Sequence, residues 1–145
     1  MSTNLRNFNA AMEAASKRIH GDMIAFHKKV IFETLKRIIM RTPVDTGRAR
    51  GNWQLATDGP AQGTLDVKGG PGQMAAKSLK NAADKLSSIT PYSLVHLTNN
   101  VEYVYYLEYH RRSEQYPEGM VEITLTEMAA WLFGVGRENL SFLKE

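Results

Sequence analysis

From Asn9 to Met40 the apolar side chains recur at helical spacing. Phe8, Met12, Ala15, Ile19, Met23, Phe26 and Val30 step by three and four residues, which is one face of a 3.6-residue period. Ile31, Leu35, Ile38 and Ile39 continue that face with a small drift, while Lys17, Arg18, Lys28, Lys29, Lys36 and Arg37 lie mostly elsewhere on the wheel. Gly21 is a weak point, costing up to about 1 kcal/mol relative to Ala, and there the helix is free to bend or divide. About thirty residues of helix span roughly 45 Å. That exceeds the needs of a globule of this size, so the helix is expected to pack on something outside its own domain.

After Arg41 the period changes to alternation. Gly51–Thr57 reads as a strand with Trp53 and Leu55 on one face, Asp58-Gly59-Pro60 as a turn, and Gly63–Lys68 as a second strand through Leu65 and Val67. Gly69-Gly70-Pro71-Gly72 breaks the chain, and residues 58–72 are expected to be its most mobile internal stretch. Gln73–Leu86 reads as a short amphipathic helix with Ala75, Leu79, Ala82, Ala83 and Leu86 inward. Tyr92–Asn99 is a third strand candidate, Val101–Tyr109 a short tyrosine-rich helix whose hydroxyls are expected to be buried in the core rather than to stack on bases, and Glu118–Phe133 a last helix with Met120, Ile123, Met128, Trp131 and Leu132 as its stripe. The pattern predicts an α+β fold: a long N-terminal helix, a small mostly antiparallel sheet, and two or three further helices packed on it.

The change of period falls at Arg41-Thr42-Pro43-Val44-Asp45-Thr46-Gly47-Arg48. Pro43 lacks an N–H and clashes with the preceding turn, so the helix ends there. Asp45-Thr46-Gly47 has turn chemistry, with a side chain that accepts from nearby amides and a glycine free to take positive φ. The result is a rigid corner, flanked by Arg48 and Arg50 and anchored by Trp53.

Composition narrows the chemistry. The chain has 145 residues, the size of one domain, and no cysteine, which excludes disulfides and thiolate sites. No apolar run approaches the roughly 20 residues of a membrane span, and the N-terminus lacks the apolar core of a signal peptide. His20 and His27 are seven residues apart, too far for one metal ion, and His96 has no acidic neighbour at ligand spacing. No nucleophile elbow, phosphate loop or paired-carboxylate motif occurs. The reading is of a non-enzyme without cofactor or metal. The net charge of +3 is unevenly spread: residues 1–50 hold ten Lys/Arg against four Asp/Glu, and residues 51–145 hold eight against eleven. Such a split suits nucleic-acid contact or the meeting of one copy's basic face with the acidic face of the next. Lys28, Lys29, Lys36 and Arg37 are the DNA-facing or intersubunit candidates. The apolar end Leu140, Phe142 and Leu143 is the candidate intersubunit tail.

The run Thr42 to Arg48 followed by Asn52-Trp53 resembles the signature of the neck or tail-completion family of long-tailed bacteriophages, minor tail components with the role also assigned to a phage lambda tail-completion protein. A second run matches in order: Leu97-Thr98-Asn99-Asn100-Val101-Glu102-Tyr103, then Leu107-Glu108-Tyr109, then Pro117-Glu118-Gly119-Met120-Val121. Residues 58–91 fall outside the resemblance as a variable insert, and His110-Arg111-Arg112 departs from it, where relatives usually carry glycine and a shorter link. The resemblance implies a single neck domain over residues 1–145. Its structural corner and interface would comprise Thr42, Pro43, Val44, Asp45, Thr46, Gly47, Arg48, Arg50, Trp53, Asn99, Asn100, Tyr103, Leu107, Glu108, Tyr109, Gly119 and Met120. It further implies a ring of copies, expected to be a hexamer, that completes the tail and joins it to the DNA-filled head. The expected partners are the head-closure or connector protein, tail terminator or tail tube proteins, and genomic DNA through non-specific contact; no membrane is involved. The expected location is the virion neck or tail, and the host cytoplasm during assembly. Two alternatives stand beside it: a terminator ring capping the tail tube, and a small basic nucleic-acid-binding module.

Overall fold

A computed structural model describes residues 3–44, 47–66, 69–90, 93–110 and 119–139. The first element is one helix, α1 (Thr3–Arg41), of 39 residues, about 58 Å long. It passes through Gly21 undivided. A helical glycine costs only about 1 kcal/mol, and the space around Gly21 is open, so nothing forces a bend. The helix serves the domain unequally along its length. Ile31, Leu35, Ile38 and Ile39 are buried, whereas Leu5, Phe8, Met12 and Ile19 are exposed. The first twenty or so residues stand clear of the core.

Beyond α1 come a single helical turn α2 (Arg48–Gly51), strand β1 (Gln54–Ala56), helix α3 (Pro71–Leu86), strand β2 (His96–Thr98), and helices α4 (Val104–Tyr109) and α5 (Val121–Asn139). β1 and β2 pair antiparallel in the register Gln54 with Thr98, Leu55 with Leu97 and Ala56 with His96. The fold is thus α+β, a long N-terminal helix and further helices around a two-stranded antiparallel sheet. The core joins α1 to β1, α3 and the start of α5 through Leu35, Ile39, Trp53, Leu55, Leu86 and Met120. No described helix is long and apolar enough to cross a membrane.

Three elements differ from the pattern-based reading. The strand expected at Gly51–Thr57 is shortened, because Gly47 at φ 80° turns the chain into α2, where the Gly51 amide donates to the Gly47 carbonyl. The strand expected at Gly63–Lys68 does not form over its described residues 63–66. Side chains take the place of a ladder there. Asn52 donates to the Leu65 carbonyl and accepts from the Leu65 amide at 2.6 Å, Gln54 donates to the Gly63 carbonyl, and Asn100 donates to the Ala61 and Gly63 carbonyls. A glycine-rich loop that its composition marks as loose is therefore pinned at several points. The third strand is confined to His96–Thr98.

Helix α3 begins two residues earlier than its hydrophobic pattern. Pro71 sits in its first turn, where the missing N–H costs nothing, and Gln73 reaches back to accept from the Gly70 amide. It buries Met74, Ala75, Ser78, Ala82 and Leu86, while Ala83 faces solvent. The stretch that the resemblance leaves as an insert thus supplies much of the core.

Candidate functional site

The corner is built around Thr42. Its hydroxyl donates to the Ile38 carbonyl at 2.8 Å and accepts from the Trp53 indole N–H at 2.7 Å, with Thr42 fully buried. One side chain thereby closes the last turn of α1 and fixes the tryptophan at the head of β1. A buried indole N–H requires such a partner. Pro43 and Val44 follow, half-buried, and end the helix. Asp45 and Thr46 lie outside the described residues. Arg50 returns to the helix end, with Nε and Nη2 donating to the Thr42 carbonyl and Nη2 also to the Met40 carbonyl. A guanidinium at a helix C-terminus satisfies orphan carbonyls and meets the negative end of the dipole.

Gly47 has a steric reason as well as a conformational one. A Cβ there would come within 3.0 Å of Met74 Cγ on α3. Ala49 and Gly51 are buried beneath the same helix, and Ser78 of α3 donates to the Arg50 carbonyl. Asn52 is fully buried and also donates to the Arg48 carbonyl at 2.8 Å. Among the described residues of this signature, then, the small ones allow close approach, and Thr42, Arg50 and Asn52 bind backbone.

The second run packs onto the first. Asn99 donates to the Ala49 carbonyl at 2.7 Å and accepts from the Val101 amide. Arg48 pairs with Glu102 at 2.8 Å. The hydrogen bond from Arg48 holds the Glu102 carboxyl below its ordinary pKa, and the same bond raises that of the guanidinium. Glu108 on α4 caps α5 from outside. Its Oε2 accepts from the Met120 and Val121 amides at 2.7 and 2.9 Å, and its Oε1 from the Glu122 amide at 2.9 Å. A carboxylate at a helix N-terminus satisfies orphan amides and meets the positive end of the dipole. Gly119, at φ 85°, lets the chain pass Glu108, since a Cβ would stand 3.1 Å from the Glu108 carbonyl oxygen.

The remaining candidates divide. Met120 is buried, and Tyr103 and Leu107 are half-buried. Tyr105, Tyr106 and Tyr109, expected to bury their hydroxyls, are instead exposed, with the Tyr105 and Tyr109 rings 4.7 Å apart and Tyr106 5.2 Å from His110. A six-residue helix that turns Val104 and Leu107 inward has no second face to bury. Arg37, expected to face DNA or a neighbouring copy, is committed inside the chain to Glu33 and Glu127 at 2.9 and 3.0 Å. Arg41 also pairs with Glu127 and donates to Thr124, so two cations of α1 hold α5. Hydrogen bonding from Arg41, with Arg37 adding to it, holds the Glu127 carboxyl below its ordinary range. Lys29 stands 5.8 Å from the Trp131 ring, Lys28 is half-buried and Lys36 is exposed. Leu140, Phe142 and Leu143 lie outside the described residues.

Among the described residues of this corner, acid, base and nucleophile do not converge, and the polar groups bind backbone or one another, as in a scaffold. Among the described residues, no three His, Asp or Glu side chains are grouped to hold a metal ion. Comparison with family models, curated proteins and solved structures finds no match to this chain.

Proposed function

We propose that the protein is a structural virion component of the phage head–tail neck, completing the tail and joining it to the filled head as part of a ring. The observation that carries this reading is the meeting of the two sequence runs behind the family resemblance. Some fifty residues apart, they join through Asn99 on Ala49 and Arg48 on Glu102, and the second run closes on itself through Glu108 on Met120 and Val121. The signature residues thus serve one scaffold. That scaffold carries a long helix whose free end offers surface to neighbours, as a ring component requires. DNA contact at such a neck would be non-specific, since the lumen passes every sequence, and its affinity would fall steeply with salt. The test is deletion of the gene from a phage genome that encodes it, followed by electron microscopy of the lysate. Separate filled heads and tails of normal length are expected. Tails of uncontrolled length would move the assignment to the terminator ring, and normal infectious particles would overturn the neck reading.

A further inference from the structure

Two apolar helix faces of this chain stand largely open among the described residues. The first is on α1, open at Phe8, Met12 and Ile19, with Ala15, Met23, Phe26 and Val30 of the same stripe half-buried. Phe8, Met12, Ala15, Ile19, Met23, Phe26 and Val30 repeat as four, three, four over two consecutive 11-residue units. An 11-residue repeat keeps its stripe on one side of an almost straight helix. Phe8 and Met12 are 61% and 57% exposed, and a shallow groove of about 300 Å³ runs along Met12, Ala15, Ile19 and Met23. Singly scattered surface hydrophobics are ordinary, but a continuous stripe is a contact surface. The second face is on α5. Thr124, Met128 and Trp131 turn toward the body of the molecule, while Leu125, Ala129 and Leu132, spaced four and three, point outward, Leu125 at 56% exposure.

We infer that the α1 stripe of one copy docks on the outer α5 stripe of a second copy, head to tail. Charge selects this pairing over α1 against α1. Over the stripe, residues 3–30 hold five Lys/Arg against two Asp/Glu, a balance of +3, and residues 121–132 of α5 hold two Asp/Glu and no Lys/Arg. Laying α1 beside its own copy brings two basic helices together. Laying it on α5 brings a basic helix to an acidic stretch, with exposed Glu122 one turn before Leu125. Because the two faces differ, the contact is heterologous. It leaves one face of each kind open at the ends of any chain of copies, and it closes only by forming a ring. The inference deepens the ring reading above and rests on it for the setting. The contact itself is a property of the purified chain.

The absence of cysteine makes the test clean. Met12→Cys, Leu125→Cys and the double variant replace exposed side chains, and circular dichroism melts should match the parent. Under mild oxidation of the concentrated full-length protein, the double variant should give a ladder of covalent oligomers. A mixture of the two single variants should give a mixed dimer, and each single variant alone should stay largely monomeric. Phe8→Glu in the double-cysteine background, which leaves both cysteines in place, should reduce the ladder about tenfold or more. Covalent dimers from Met12→Cys alone, with no ladder from the double variant, would show like faces meeting and overturn the proposal. No cross-link in any variant would overturn it too. If the double-cysteine protein still restores infectivity to a deletion phage while failing to cross-link, the neck reading survives and only this contact is lost.

Discussion

Thr42 and Trp53 show how much of the corner rests on single polar atoms. Thr42→Val keeps the shape but removes the donor to Ile38 and leaves the indole N–H of a buried tryptophan unpaired. The expected cost is about 1–3 kcal/mol in urea unfolding. Trp53→Phe removes the other partner, so the double variant should cost less than the sum of the two. Strict additivity would mean that the hydrogen bond carries no energy. Gly21 is the opposite case. Its neighbourhood is open, so Gly21→Ala should raise helix content and stabilise the chain by up to about 1 kcal/mol. The corner was legible at this scale because proline and glycine announce backbone geometry. The role of Asn52 was not, because a buried amide standing in for a strand partner is specified by the loop it meets thirteen residues later.

Helix α5 is held by groups that belong to other elements. Glu108→Ala removes the acceptor for three amides at its start. The expected loss is about 1–2 kcal/mol, with hydrogen exchange quickening first at residues 120–122. Glu108→Gln should retain part of that, since an amide oxygen still accepts but carries no charge for the dipole. Farther along, Glu127 links α5 to Arg41 and Arg37. Its folded pKa is lowered, so its contribution is fully present above the ordinary carboxylate range and is lost as pH falls through the lower folded value. Glu127→Gln should flatten that part of the acid limb of a stability–pH curve. The glutamate is over a third exposed, so the effect should stay within about 1 kcal/mol. The periodicity of the long helices was readable because burial repeats with the helix. Their caps and cross-links were not, since pairs such as Arg37 with Glu127, ninety residues apart, leave no local signal.

At the scale of the whole molecule, the length of α1 sets the argument. Only its last third enters the core, through Ile31, Leu35, Ile38 and Ile39. An unsupported helical stretch of about twenty residues in water is marginal, because most helical stability in proteins comes from packing. In the free protein, amide exchange should therefore divide α1 sharply. Residues 5–20 should exchange orders of magnitude faster than residues 31–41, which open only with the core. The pinned loop at residues 59–65 should be slower than its glycine content suggests, at the Leu65 amide above all, which donates to Asn52. In assembled particles the picture should change at one end only. The N-terminal stretch of α1 should become protected as its apolar face is covered, while residues 31–41 should stay as they were. Uniform protection of α1 already present in the isolated monomer would mean that this helix needs no neighbour, and the reason for its length would have to be sought elsewhere.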